Sequence, residues 1–190
     1  MAVAGSSAST AAATSDHRGA ETEPFGAREL YRGLKAGGID FAVYLPDGTL
    51  PPVARLLRAD PDIQTVQCAR EDEGIAIAAG AFLGGKTPVA LMEASGLGYA
   101  ALILARIQVQ RTPVLLIASR NRVLDEPYDY HAASRMVGEG VLGGLNIPYL
   151  VADDPDRLAT IVEKAAVTMR GQRSCVGLLI PNFVIHGDRP

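Results

Sequence analysis

Apolar residues recur at two spacings along this chain, and the switches between them mark its elements. Over residues 25–36, Ala27, Leu30, Tyr31 and Leu34 fall at helical spacing, and Gly37-Gly38 supplies a stop. Residues 39–44 then read as a strand broken by Pro46-Asp47-Gly48, and residues 50–58 as a short helix with proline in its first turn. After Asp60-Pro61-Asp62, residues 63–68 predict a second strand and residues 71–84 a helix of small residues. Residues 89–92 are wholly apolar and predict a third strand, followed by a glycine loop over 93–98 and a helix over 99–110. A fourth strand over 113–118 leads into a long polar loop, 119–130, and a helix over 131–145. Residues 148–151 form a fifth strand, Asp153-Asp154-Pro155 starts a helix over 156–170, and residues 174–180 form a sixth strand closed by Pro181.

Strands that are continuous apolar runs, alternating with helices, are strands covered on both faces. The expected fold is therefore α/β, three-layered, around a mainly parallel six-stranded sheet. No repeat of fixed period interrupts that plan.

Composition narrows it. The 190 residues suit one domain, 48% hydrophobic with 5% aromatic residues and no tryptophan, so the core is aliphatic and its layers approach closely. A net charge of -3 gives no basic footprint for nucleic acid or an anionic membrane. Cys68 and Cys175 lie far apart with no metal or redox spacing, which fits a reduced, cytoplasmic compartment, and no metal ligands are expected. No apolar run reaches membrane-spanning length. Residues 1–24 are rich in Ala, Ser, Thr and Gly without a basic segment before an apolar core, so they read as a disordered extension ahead of a domain over 25–190.

The chemistry concentrates at Arg70-Glu71-Asp72-Glu73-Gly74, where three carboxylates separate a β-rich run from a buried helix. Charge at such a join costs desolvation, and in an α/β sheet the join lies where ligands bind. A second candidate is Ser95-Gly96-Leu97-Gly98 after the third strand, and a third is Pro46-Asp47-Gly48 after the first.

Taken together these three stretches resemble the pyrimidine-binding (PYR) domain of thiamine-diphosphate-dependent decarboxylases. Arg70-Glu71 followed through an Ala-rich helix by Gly80, the Ser-Gly-x-Gly loop and the Leu45-Pro46-Asp47-Gly48 turn each match a family motif. The run Met92-Glu93-Ala94-Ser95-Gly96-Leu97-Gly98 and Asp125-Glu126-Pro127 look most like the small α subunits of sulfopyruvate decarboxylase and the matching half of phosphonopyruvate decarboxylase. Glu93 and Ala94 stand where an amide pair is usual, and Tyr99 where Asn is usual.

The resemblance implies a task for each site. Glu71 would hydrogen-bond N1′ of the cofactor's aminopyrimidine and favour its imino tautomer, while Ser95, Gly96, Leu97 and Gly98 would border the cofactor. Pro46, Asp47 and Gly48 would border a 2-oxo acid substrate, with Asp47 and His131 as proton-handling candidates. Arg120 and Arg122 would meet a sulfonate or phosphonate tail by bidentate pairing. The family's Gly-Asp-Gly motif for diphosphate and Mg²⁺ has no counterpart here, since Gly187-Asp188-Arg189 has no asparagine downstream. A separate diphosphate-binding β subunit carrying the Mg²⁺ is therefore expected, in an α2β2 or larger assembly joined through the helices 71–84 and 99–110.

Each residue also has a plainer role. Glu71, Asp72 and Glu73 suit the first turn of any helix, Asp47 an Asx-turn, His131 a helix start, and Cys68 inert packing. A non-catalytic nucleotide-binding domain predicts a G-x-G-x-x-G or Walker loop before the first helix, and neither is present. Carboligation by the same cofactor shares its early steps with decarboxylation, so the residues do not separate the two.

Overall fold

The computed structural model describes residues 22–121 and 128–187. Six strands, β1 (Phe41–Tyr44), β2 (Gln64–Gln67), β3 (Pro88–Glu93), β4 (Leu115–Arg120), β5 (Tyr149–Val151) and β6 (Val176–Pro181), form one sheet. Their order is β2-β1-β3-β4-β6-β5, and every pairing is parallel. The helices are α1 (Phe25–Ala36), α2 (Pro51–Ala59), α3 (Glu71–Leu83), α4 (Gly96–Tyr99), α5 (Ala101–Val109), α6 (Asp129–Gly144), α7 (Leu158–Gln172) and α8 (Asn182–His186). A 3₁₀ turn, Pro155–Arg157, leads into α7, with the Asp154 side chain accepting from the Asp156 N–H at 3.0 Å.

Successive strand residues point to opposite faces, so the sheet divides the core in two. Ala42, Tyr44, Leu91, Ile117 and Ile180 pack beneath α1, α2, α7 and α8, where Leu30, Leu57, Val162 and Ile185 meet them. Val43, Ala90, Met92, Leu116 and Leu179 pack beneath α3 to α6, against Ile75, Leu97, Leu104 and Leu142. This is the expected three-layer α/β architecture.

Three details depart from the expectation. Cover on both faces holds for β1, β3, β4 and β6, whereas β2 and β5, outermost in the sheet, are partly exposed along their length. The strands β3 and β4 run past their apolar segments into Glu93 and Arg120, because the ladder continues through Glu93 opposite Ser119 and Arg120 opposite Pro181. The expected loop over 93–98 winds instead into α4, with Gly98 N–H bonding Ser95 O and Ala100 N–H bonding Gly96 O.

Helix α8 has no counterpart in the apolar pattern. Val184 and Ile185 are buried against α1, where Gly26 is the point of closest approach: an added Cβ there would overlap Val184 O and lie 2.7 Å from its carbonyl carbon. On its other side α8 braces the turn after β1. Asn182 Nδ2 donates to Thr49 Oγ1 at 3.1 Å, and His186 Nε2 lies 3.1 Å from Thr49 O.

Candidate active site

In a parallel sheet all carboxyl ends face one way, and ligands gather beyond them. Glu71 opens α3 just after β2, and Gly96 opens α4 just after β3. The two meet in space. A Cβ added to Gly96 would stand 2.6 Å from both Cδ and Oε1 of Glu71, and nearer still to its Cγ. The carboxylate arm thus lies in the space that the missing side chain leaves.

Its neighbours in the first turn of α3 are occupied elsewhere. Arg70 donates to both oxygens of Asp72, at 3.0 and 2.8 Å, and Asp72 Oδ1 also accepts from the Glu73 N–H at 3.0 Å. Glu73 Oε2 accepts from the Ala69 N–H at 3.2 Å and so ties the first turn to the residue before the N-cap, Arg70. These are the local, helix-starting roles expected for Asp72 and Glu73. Half-buried Glu71 accepts no hydrogen bond among the described residues, so its carboxylate is open to a donor brought from outside the chain.

Beside this pair a cleft of about 780 Å³ opens beyond β3 and β4, with Gly48, Ser95, Gly98 and His131 on its walls. The His131 ring sits edge-on to Tyr128 and Tyr130, with centroids 5.5 and 4.4 Å away. Glu93 also faces the cleft, where its Oε1 accepts from Ser134 Oγ at 2.8 Å and from Asn121 Nδ2 at 3.3 Å.

Other expected site residues sit differently. Asp47 Oδ1 accepts from the N–H of Leu50, three residues on, at 2.8 Å, while Oδ2 is buried without a hydrogen bond among the described residues. Pro46 lines a separate pocket of about 260 Å³ beside Leu45 and Arg55, away from the cleft that Gly48 borders. Leu97 is fully buried in the core beneath α3 to α6 and does not line the cleft. Arg120 does not line the cleft; its guanidinium pairs with Glu139 on α6 through contacts of 2.8 Å. Arg122 and Asp125-Glu126-Pro127 lie outside the described residues.

The cleft also includes residues that sequence reasoning passed over: Thr49, Asn121, Ser134, Val137 and Asn182. Two of them carry a usable signal. Asn182 follows the last strand directly, at the end where such sheets bind ligands, and Ser134 lies three residues from His131 on one helix face. Cys68 is packing, as expected: burial foremost, with Glu73 and Glu71 near, pushes its thiol up to about 11. Its Sγ fills the space against Gly74, where an added Cβ would lie 2.8 Å away. No group of three or more His, Cys, Asp or Glu side chains able to hold a metal occurs among the described residues, and no helix among them is long and apolar enough to cross a membrane.

Residues 25–137 match the family model described as thiamine pyrophosphate enzyme, N-terminal TPP binding domain. The chain belongs to this family. Among curated relatives, the sulfopyruvate decarboxylase subunit alpha of Methanothermobacter thermautotrophicus is 33% identical over 152 residues, covering 79% of this chain and 92% of the relative. The same-named subunit of Methanococcus maripaludis is 31% identical over 161 residues, covering 84% and 96%. The phosphonopyruvate decarboxylase of Streptomyces viridochromogenes is 29% identical over 170 residues, and this chain spans only 42% of its length. Among solved structures, a 2-oxoglutarate:ferredoxin oxidoreductase from Magnetococcus marinus superposes with a TM-score of 0.71 at 19% identity, over 85% of this chain and 29% of that one. At that identity the likeness speaks for the fold.

The site suits the cofactor of the TPP-binding family. An aminopyrimidine ring needs an acceptor at one ring nitrogen and a flat approach to it. Glu71 offers a carboxylate with no hydrogen bond inside the described chain, and glycine at 96 removes the side chain that would stand in its way.

Proposed function

We propose that this chain is the α subunit of a heteromeric thiamine-diphosphate-dependent 2-oxo acid decarboxylase of the sulfopyruvate and phosphonopyruvate class. The observation that carries the reading is the open carboxylate of Glu71 lying over Gly96. Relatives called subunit alpha, matched over nearly their whole length, support a partner subunit that would hold the diphosphate and Mg²⁺.

When bound, thiamine diphosphate supplies the nucleophilic carbon that attacks a 2-oxo acid and takes up the electrons freed as CO₂ leaves. The chain's contribution is orientation and proton control. Glu71 holds the aminopyrimidine's N1′ and shares a proton with it, on a rigid helix start that fixes its direction. Gly96 and Gly98 keep the approach clear, and Ser95 offers a hydroxyl at the cleft wall. His131, packed edge-on against Tyr128 and Tyr130, lines the same cleft as the proton-handling or anion-binding candidate. Gly48 and Thr49 close the cleft on the β1 side, with the turn stiffened by Asp47.

The test is CO₂ release from 2-oxo acids, sulfopyruvate and phosphonopyruvate among them, by this chain co-expressed with its candidate partner, thiamine diphosphate and Mg²⁺. Glu71→Gln keeps the shape and loses the carboxylate. Turnover abolished in Glu71→Gln supports the reading; full turnover by this chain without any partner overturns the heteromer.

A further inference from the structure

One wall of the cleft carries a carboxylate held in place by hydrogen bonds. Glu93 ends β3 with its carboxylate in the cleft, and two donors on different elements hold one of its oxygens. Ser134 Oγ, on buried Ser134 of α6, donates to Oε1 at 2.8 Å, and Asn121 Nδ2, just past β4, donates to the same atom at 3.3 Å. The second oxygen, Oε2, accepts nothing among the described residues. Two anchors from two sides fix the carboxylate's direction, which a solvated surface glutamate does not have.

The charges around it sharpen the point. Among the described residues lining the cleft, Glu93 is the sole carboxylate and no lysine or arginine contributes. Arg120, which precedes Asn121 in sequence, is committed to Glu139. A sulfonate or phosphonate brought beside Glu93 would meet a like charge in a partly desolvated space, where repulsion is stronger than in water. A hydroxyl, amide or ammonium would instead find an open acceptor. Every 2-oxo acid carries the same carboxylate next to its keto group, so this wall discriminates the far end alone.

We propose that Glu93 determines substrate choice at this site, favouring 2-oxo acids whose tail bears a hydrogen-bond donor and rejecting those whose tail bears a second anion. The inference rests on the decarboxylase reading above and parts from its sulfopyruvate and phosphonopyruvate class only in the charge of the substrate's tail. Within the same reaction class, the preferred acid differs in tail charge from sulfopyruvate and phosphonopyruvate. A positive group placed on the tail gains attraction as well as a hydrogen bond, whereas a purely aliphatic tail leaves Oε2 without a partner.

The experiment compares kcat/KM for CO₂ release from hydroxypyruvate and from sulfopyruvate, using the co-expressed complex with thiamine diphosphate and Mg²⁺. The chain is wild type, Glu93→Gln or Glu93→Asp. Glutamine keeps the acceptor for Ser134 and Asn121 and removes the charge; aspartate keeps the charge and shortens the arm. The wild type is expected to favour hydroxypyruvate by about tenfold or more, since each tenfold corresponds to about 1.4 kcal/mol of discrimination. Glu93→Gln is expected to move the ratio toward sulfopyruvate by a similar factor, while Glu93→Asp keeps the wild-type order. A parallel readout is inhibition by sulfoacetate, an unreactive anion, whose Ki should fall in Glu93→Gln alone.

A ratio and a Ki that ignore Glu93→Gln, in a complex that does turn over 2-oxo acids, overturn this inference and leave the decarboxylase standing. So does a wild type that prefers sulfopyruvate. Absence of CO₂ release from every 2-oxo acid overturns the decarboxylase reading, and this inference with it. Thermal melts of both variants, expected to match the wild type, separate a folding defect from a change of preference.

Discussion

The side chain of Glu71 occupies the space that Gly96 leaves empty, with Cδ and Oε1 both 2.6 Å from where a Cβ would stand. Two residues 25 positions apart are thereby one functional unit. The glycine is needed for what it lacks. Gly96→Ala should displace the carboxylate and lower thiamine-diphosphate-dependent turnover on the order of 100-fold, the cost of a misplacement of about 1 Å. Its stability cost should stay at about 1–3 kcal/mol, typical of overpacking, as read by urea denaturation. Unchanged turnover would sink the pairing.

Gly26→Ala tests a different contact. Its new methyl would meet the backbone of Val184, which has no freedom to rotate away. Helix α8 should detach from α1, at about 1–3 kcal/mol or more, and take the brace on Thr49 with it. The expected outcome is a lower Tm together with a raised KM. A lower Tm with KM unchanged would show that the brace is irrelevant to the cleft.

Asp60 anchors α1 to the turn before β2, and its ionisation should shape the acid limb of stability. Burial alone would raise its pKa, but Lys35 at 2.8 Å, the Tyr31 hydroxyl at 2.7 Å and the Asp62 N–H together hold it below the usual carboxylate value. The sign follows: a lowered folded pKa contributes stability at neutral pH that is lost as pH falls through that pKa. Tyr31 is the opposite case, pushed up to about 12 by burial and then by its bond to Asp60. Its contribution is complete below the ordinary value of 10.0 and is lost as pH rises toward about 12. Asp60→Asn should cost roughly 1–3 kcal/mol at pH 7 and flatten the acid limb, and Tyr31→Phe should flatten the alkaline one. Denaturant midpoints measured across pH check both.

Arg120 offers the sharpest contrast between expected and observed placement. Paired with Glu139, it should leave KM within about twofold when changed to glutamine, because it touches no cleft wall. A double-mutant cycle with Glu139→Gln should give a coupling of about 0.5–1 kcal/mol, the range of a partly exposed pair. A tenfold rise in KM for an anionic 2-oxo acid would return Arg120 to the substrate.

The strand-and-helix plan was readable because the middle strands are buried on both faces and so carry unbroken apolar runs. The place of Glu71 was readable because the switch from a β-rich run to a small-residue helix falls directly at it. The rest of the cleft was not. Thr49 and Asn182 reach it through α8, a five-residue helix too short to show a period, whose place depends on Gly26 more than 150 positions earlier. The pairing of Arg120 was not readable, because charge at a strand end looks the same whether it awaits a ligand or an ion-pair partner one helix away. Only the fold brings Glu139 beside it.

The place of β6 has a consequence for how the molecule is made. Strand β6, the last of these six in chain order, lies inside the sheet, between β4 and β5, and β5 pairs with no other described strand. Until residue 181 emerges, β4, among the most apolar strands, has one edge unfilled, and β5 has no ladder to join. Between residues 120 and 181 the nascent chain therefore carries a sticky open edge, the kind of edge along which chains join one another. Completion is abrupt, because one strand and its following helix close the sheet and clasp α1 in the same event. Yield in a cell should thus depend on chaperone supply and on translation speed between residues 120 and 181, and not on the stability of the finished fold alone.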